Sequence, residues 1–307
     1  MKKVLLATEK PFATEAVGQI KEIADKAGYQ IVLLEKYTEK SDLLKAVSDA
    51  DAMIIRSDIV DAEVLEAAKQ LKIVVRAGAG YDNIDLSAAT AHQVVAMNTP
   101  GQNSNAVAEL AIGMMIYQAR KQFTGKSGSE LKGKTLGLHA YGNVGKCVAS
   151  IAKGFGMEIY AFDPYISREI IESDGVHWVG SVEELYEKSH YVSLHIPANS
   201  ETKNSINYAL LSRMPKPAAL VNTARKEVVN EADLLKVFSE RPDFEYISDV
   251  EPGCAAEIKE KFAGRFYFTP KKMGAQTEEA NINAGLAAIR QIIDYFEKGD
   301  IRFQVNK

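Results

Sequence analysis
The sequence predicts an α/β protein built from two Rossmann-like, doubly wound parallel-sheet domains, one inserted in the other. Three observations predict it. Short apolar runs alternate with amphipathic segments along nearly the whole chain, the pattern of parallel strands with covering helices. A glycine-bearing strand-turn-helix, Leu136-Gly137-Leu138-His139-Ala140-Tyr141-Gly142-Asn143-Val144-Gly145, stands mid-chain rather than at the start. A long amphipathic segment, Glu278–Lys298, closes the second alternating run and is expected to pack back on the first domain.

Taken in order, the first hundred residues read as follows. Val4–Ala7 is a strand. Thr14–Lys26 is a helix that stops at Gly28. Ile31–Leu34 is a strand, and Ser41–Asp49 a short helix capped by Ser41 or Asp42. Ala52–Ile55 is a strand, Ala62–Gln70 a helix, and Ile73–Val75 and Val94–Ala96 are strands. Asn98-Thr99-Pro100-Gly101 is a turn into a long apolar helix, Ala106–Arg120. Polar, glycine-rich Thr124–Gly133 is a loop. Strand Thr135–Ala140, helix Val144–Phe155 and apolar Met157–Phe162 open the second run. Strands Tyr191–Ile196, Ala218–Asn222, Glu245–Asp249 and Phe266–Thr269 follow, with helices at Asn207–Arg213, Glu231–Glu240 and Ala255–Phe262. Domain breaks are therefore expected at 100/101 and 280/281. Residues 1–100 with 281–307 would form a substrate-binding (lid) domain and 101–280 a nucleotide-binding one, with a hinge and a ligand cleft between them.

The bulk composition excludes several classes. The 307 residues are 46% hydrophobic and 25% charged, with a formal net charge of −4, ordinary for a globular protein of two domains. No basic block suggests nucleic acid. No apolar stretch approaches the roughly 20 residues of a membrane span. Cys147 and Cys254 do not make a disulfide framework, so a reducing cytoplasm is expected. No metal cluster is evident, and His92, His139, His177 and His190 carry no signal.

The glycine turn carries the first functional reading. A tight turn before a helix lets backbone N–H groups and the helix N-terminus meet a pyrophosphate. Asp163 arrives at the end of the next strand, 21 residues past Gly142, where an acid hydrogen-bonds a ribose diol. A carboxylate there favours NAD over its 2′-phosphorylated form. The first glycine of the usual G-x-G-x-x-G is Ala140. Ligands of open α/β sheets bind beyond the carboxyl ends of strands. Those positions hold Arg56-Ser57, Arg76-Ala77-Gly78-Ala79-Gly80, His195-Ile196-Pro197, Asn222-Thr223-Ala224-Arg225, Asp249-Val250-Glu251-Pro252 and Thr269-Pro270-Lys271-Lys272-Met273-Gly274-Ala275.

With these motifs, together with Tyr81-Asp82-Asn83-Ile84-Asp85, Asn98-Thr99-Pro100-Gly101-Gln102-Asn103-Ser104 and Val107-Ala108-Glu109, the chain resembles the D-isomer-specific 2-hydroxyacid dehydrogenases from about Val4 to about Tyr295. The resemblance implies NAD as cofactor and a small phosphorylated 2-hydroxy acid as substrate, with 3-phospho-D-glycerate oxidised to 3-phosphohydroxypyruvate in serine synthesis. It implies cofactor contacts at Tyr141, Gly142, Asn143, Val144, Gly145, Asp163, His195, Pro197, Thr202, Thr223, Ala224, Arg225, Asp249, Lys272, Gly274 and Ala275. It implies substrate contacts at Arg56, Ser57, Arg76, Gly78 and Asn103. Arg225 would grip the substrate carboxylate and carbonyl through its guanidinium fork; a salt bridge is the plainer role. Asp249 would lie near the nicotinamide, or simply cap a helix.

Two departures from the family pattern follow. The family's Thr-Pro-His-x-Gly is Thr269-Pro270-Lys271-Lys272-Met273-Gly274 here, one residue longer. Counting back from Met273-Gly274-Ala275 places Lys272 at the histidine position, with Lys271 as the competing assignment. An unperturbed lysine titrates near 10.4. Burial and the Arg225 cation would disfavour its charged form, while a carboxylate would favour it. Lys272 is thus expected as the acid/base, with an anion tether as the alternative. The family's partner glutamate has Glu251 as its first candidate, Glu257 as its second, and no partner as a third option. His195 is expected to be structural or cofactor-side. A homodimer built on the Ala106–Arg120 helix and the Thr124–Gly133 loop is expected, as is the absence of a C-terminal regulatory domain and of serine feedback through one. Competing readings are a hydroxypyruvate or glyoxylate reductase of the same family and an NAD(H)-sensing, corepressor-like binding protein.

Overall fold
The computed structural model describes residues 1–306. The chain divides into two compact units, Met1–Asn103 with Gln276–Lys307, and Ser104–Ala275. These breaks lie at 103/104 and 275/276, against the 100/101 and 280/281 expected.

The leading segment of the first unit runs β1 (Lys2–Thr8), α1 (Thr14–Lys26), β2 (Tyr29–Glu35), α2 (Lys40–Val47), β3 (Ala52–Ile55), α3 (Ala62–Ala67), β4 (Ile73–Arg76), α4 (Leu86–Ala91) and β5 (Val95–Asn98). Its sheet is wholly parallel, in the order β2-β1-β3-β4-β5. The two-residue period of a strand builds two cores from one sheet. Val4, Leu6, Ile54 and Val75 pack on one face with Ala16 and Ile20 of α1. Leu5, Ala7, Met53, Ile55 and Val74 pack on the other with Leu43 and Val47 of α2 and Val64 of α3. Three details correct the expectations. α2 starts at Lys40, one residue early, and neither Ser41 nor Asp42 caps it; the buried Leu43–Val47 stripe sets its register. α3 ends at Ala67 rather than Gln70. α4 was not expected; six residues give too little period to read, and the Asp85 carboxylate caps it by accepting from Ala88 N.

The second unit runs α5 (Ser104–Ala119), β6 (Thr135–His139), α6 (Asn143–Gly154), β7 (Glu158–Phe162), α7 (Arg168–Ser173), β8 (His177–Trp178), α8 (Val182–Lys188), β9 (Tyr191–Leu194), α9 (Tyr208–Leu211), β10 (Ala218–Asn222), α10 (Glu231–Glu240), β11 (Phe244–Ser248), α11 (Ala255–Lys261) and β12 (Phe266–Phe268). Its parallel sheet has the order β12-β11-β10-β9-β6-β7-β8. The order reverses between β6 and β9, which opens a crevice at their carboxyl ends. Leu136 and Leu138 of β6 pack with Val148, Ala149 and Ala152 of α6 on one face. Val192, Leu194 and Leu220 pack with Leu185, Leu234 and Val237 on the other. α7, β8 and α8 were not foreseen, and α9 is shorter than its expected span.

The final helix, α12 (Glu278–Lys298), belongs to the first unit. Thr277 caps its start by accepting from Ala280 N, and Gly299 ends it at φ 67°, the left-handed conformation that favours glycine. Ala288, Ile289 and Ile292 bury against the Val4–Leu6 face. The following residues return to the outer strand of the sheet. Val305 N donates to Ala96 O at 2.9 Å. The buried Asn306 amide accepts from Ala96 N at 2.8 Å and donates to Val94 O at 2.9 Å and Thr90 Oγ1 at 3.1 Å. Among the described residues, no helix is long and apolar enough to cross a membrane, and no group of His, Cys, Asp or Glu could hold a metal ion. Asn306→Ala strands the buried Ala96 N–H and Val94 carbonyl. It is expected to lower unfolding stability by about 2 kcal/mol, read as a shift in the urea midpoint at constant m-value; an unchanged midpoint would show that water replaces the amide.

Candidate active site
The glycine turn lies at the crevice where β6 and β9 part. β6 ends at His139, and α6 begins at Asn143 with Gly142 as its N-cap and no side-chain cap. The first-turn N–H groups of a helix have no partners within it. Here they form an uncapped positive end suited to a pyrophosphate. Gly145 is required by close approach, since an added Cβ would meet Ala140 O at 2.6 Å. Ala140 itself adopts φ 78°. The position of the missing first glycine therefore keeps a glycine conformation under an alanine side chain. Asp163 closes the turn: Tyr141 N donates to Oδ2 and Tyr165 N to Oδ1, each at 2.8 Å. Tyr141 is buried, and its hydroxyl donates to Asp174 Oδ2 at 3.1 Å.

Two histidines lie beneath this turn. His195 N donates to His139 O at 2.9 Å, and His195 Nε2 is buried without a hydrogen-bond partner. Burial, with His139 adding to it, depresses the His195 pKa to about 3. Burial depresses that of His139 to about 4. Both rings are neutral near pH 7, so neither stores a proton for transfer. The Thr223 hydroxyl, in the loop after β10, is a second buried polar group without a partner. Unsatisfied buried groups cost about 1–3 kcal/mol each. Both belong to segments just past the carboxyl ends of β9 and β10, where a cofactor bound to such a sheet could satisfy them. Pro197 and Thr202 are tied together, Thr202 Oγ1 donating to Pro197 O at 2.5 Å.

The loop after β12 is organised by Asp249. Its carboxylate is fully buried at the end of β11. It accepts from Thr269 Oγ1 at 3.0 Å, Met273 N at 2.9 Å and Gly274 N at 2.8 Å. Helix α11 starts six residues on, with Cys254 as its N-cap, so Asp249 caps no helix. Gly274 lies so close that an added Cβ would meet Asp249 Oδ2 at 3.0 Å and Val107 at 3.3 Å; Ala275 follows, half-buried. The loop carries exposed Lys272 to the loop after β10, where Nζ donates to Ala224 O at 3.4 Å. Arg225 Nη1 donates to the same carbonyl at 3.2 Å. The structure thus brings Arg225, Lys272 and Asp249 into one corner. It sets Glu251 against Lys259, and Glu257 against Lys261 at 2.8 Å.

In the first unit, Arg56 and Arg76 gather at the ends of β3 and β4. Arg56 is half-buried over the Phe12 ring. Its guanidinium donates to Lys10 O and Pro11 O, both at 3.1 Å, and to Asn281 Oδ1 at 2.5 Å. Burial lowers its pKa, without threatening the charge of an arginine near neutrality. Arg76 Nε donates to Arg56 O at 3.0 Å. Gly78 makes room for it, because a Cβ there would sit 1.5 Å from Arg76 Nη1. Ser57 is exposed, and Asn103 is the last residue before α5. Three residues of this corner were given no role from the sequence: Asp58, Tyr37 and Asn83. Asp58 offered a signal, an acid directly after a strand-end arginine and serine.

Comparison with known proteins completes the picture. The profile of the D-isomer specific 2-hydroxyacid dehydrogenase NAD binding domain matches residues 105–262. The chain belongs to the D-isomer specific 2-hydroxyacid dehydrogenase family, and NAD is its cofactor. A D-3-phosphoglycerate dehydrogenase of Methanocaldococcus jannaschii is 36% identical over 82% of this chain and 51% of that protein. The chain thus spans about half the length of that relative. A hydroxypyruvate reductase of Thermotoga maritima is 33% identical over 86% of this chain and 90% of that protein. The solved structure of an NAD+-bound 3-phosphoglycerate dehydrogenase of Entamoeba histolytica is 49% identical, covers 100% of this chain and 99% of that one, and superposes with a TM-score of 0.86.

The strain at Ala140 is directly testable. Ala140→Gly relieves a positive φ that costs alanine about 1–2 kcal/mol, less the extra freedom glycine gains when unfolded. Equilibrium denaturation is expected to show a net gain of about 0.5–1 kcal/mol; a loss would mean that the Ala140 methyl contributes packing that outweighs the strain.

Proposed function
We propose that the chain is an NAD-dependent 3-phosphoglycerate dehydrogenase, which oxidises 3-phospho-D-glycerate to 3-phosphohydroxypyruvate for serine synthesis. The observation that carries the chemistry is the meeting of Arg225 and Lys272 on the Ala224 carbonyl. A guanidinium and an amine side by side suit a substrate with a carboxylate and a hydroxyl on adjacent carbons. Arg225 grips the carboxylate and fixes the orientation of C2. Lys272, as the neutral amine, takes the hydroxyl proton as the ketone forms, and as the ammonium returns it in the reverse direction. Gly142–Gly145, Asp163, His195 and Thr223 would hold NAD, which would supply the hydride acceptor for the oxidation at C2. Arg56 and Arg76 make a cationic corner in the first unit that suits an anionic group. Glu251 stays with Lys259, outside this proton path.

A second reading, a hydroxypyruvate reductase, is favoured by the relative in Thermotoga maritima, whose length this chain nearly spans. NADH oxidation with 3-phosphohydroxypyruvate and with hydroxypyruvate separates the two. The phosphorylated acid is expected to have a kcat/KM at least about tenfold higher; the opposite order selects the second reading. Lys272→Ala is expected to lower kcat about 100-fold or more with NADH affinity intact. An unchanged rate would remove the lysine from proton transfer.

The chain is further read as a cytoplasmic homodimer. Free Cys147 and Cys254 suit a reducing compartment, which cell fractionation checks. Phe123, 66% exposed beside the Thr124–Gly133 loop, supports an apolar contact there. Sedimentation is expected to give twice the chain mass, and Phe123→Asp to lower it towards the monomer; a monomeric wild type would dismiss the dimer.

A further inference from the structure
Asp58 is 2% exposed, a buried acid beside two arginines that are proposed to receive an anion. Its carboxylate is taken up by uncharged donors from three strand ends. Glu9 N, just past β1, donates to Oδ1 at 2.7 Å. Tyr37 Oη, past β2, donates to Oδ1 at 2.9 Å. Arg56 N, past β3, donates to Oδ2 at 3.1 Å. β1 and β3 are neighbours in the sheet, and the strand order reverses between them, which is where an open parallel sheet places its ligand.

The network reaches both guanidinium groups. Arg56 is fixed by Asp58 at its N–H and carries Arg76 Nε on its carbonyl. Asn83 Nδ2 braces the same segment from the far side, donating to Asp58 O at 2.6 Å and to Arg56 O at 3.3 Å. The Arg56 guanidinium meanwhile spends its donors on two carbonyls and one amide oxygen rather than on a carboxylate. Its donors are thereby held by neutral acceptors, with the nearby Asp58 carboxylate as a counter-charge.

Resting on the dehydrogenase reading above, we infer that Asp58 and Tyr37 are positioning residues for the substrate's anionic end, acting through the Arg56 backbone to set both Arg56 and Arg76. A carboxylate suits this task better than an amide. It accepts on every lone pair, whereas asparagine would turn an N–H₂ group towards one of the three donors.

The test uses the full chain with 3-phosphohydroxypyruvate and hydroxypyruvate under saturating NADH. The wild-type preference between the two acids judges the functional reading. The inference is judged separately, by the variant-to-wild-type ratio of KM on whichever acid the wild type prefers. Asp58→Asn is expected to raise that KM about tenfold, with kcat within about twofold and NADH affinity unchanged. Tyr37→Phe removes one hydroxyl and is expected to raise it about threefold. A folded Asp58→Asn protein with unaltered KM, or one whose loss lies in kcat, overturns the inference. Should Asp58→Asn fail to fold, Tyr37→Phe decides alone: an unaltered KM overturns it, and a raised KM at constant kcat supports it.

Discussion

The corner that carries Arg225 and Lys272 depends on the buried carboxylate of Asp249. Burying a carboxylate is costly unless hydrogen-bond donors surround it. Asp249 meets that condition with one hydroxyl and two backbone N–H groups, all from the Thr269–Gly274 segment. Hydrogen bonds to a charged group contribute about 1.5–3 kcal/mol each. They convert a loop with one residue more than the family pattern into a fixed arm. The closeness of Gly274 to the carboxylate shows how tightly that arm is seated. Without it, Lys272 would have four side-chain carbons and a mobile loop between it and the Ala224 carbonyl.

The same device recurs. Asp163 gathers Tyr141 N and Tyr165 N at the glycine turn, and Asp58 gathers Glu9 N, Arg56 N and a tyrosine hydroxyl in the first unit. Each of these acids stands just past a parallel strand, where the chain leaves its ladder and its N–H groups need new partners. A carboxylate accepts several of them at once, which makes the loop rigid. On the reading proposed above, arginine and lysine would supply the attraction, while aspartate supplies the geometry.

Much of this was legible in the sequence, and the limits have physical causes. Helices α1, α10 and α12 match their expected spans because ten or more residues of amphipathic period leave little freedom. α4, α7 and α8 have six or seven residues, too few for a period, and are set by packing and by caps such as Ser181, which accepts from Glu184 N. The residues at strand ends could be identified as a set, since parallel sheets place ligands there. Their partners could not. Nothing in the spacing says that Glu251 would turn to Lys259, or that Asp249 would hold a loop rather than cap a helix. Such choices are made by side chains that meet across the fold. Ala140 shows the opposite case: the motif looked incomplete, yet the backbone kept the conformation that the missing glycine would have had.

The amide of Asn306 has a wider meaning. β5 is an outer strand of a parallel sheet, and an open strand edge is a template for pairing with another chain. Here a returning segment and one side chain occupy the N–H of Ala96 and the carbonyls of Val94 and Ala96. They imitate a sixth strand for about one residue pair. An amide side chain satisfies these edge groups without offering a further ladder of its own. The segment around Val305 and Asn306 thus covers part of the β5 edge that would otherwise be open to pairing.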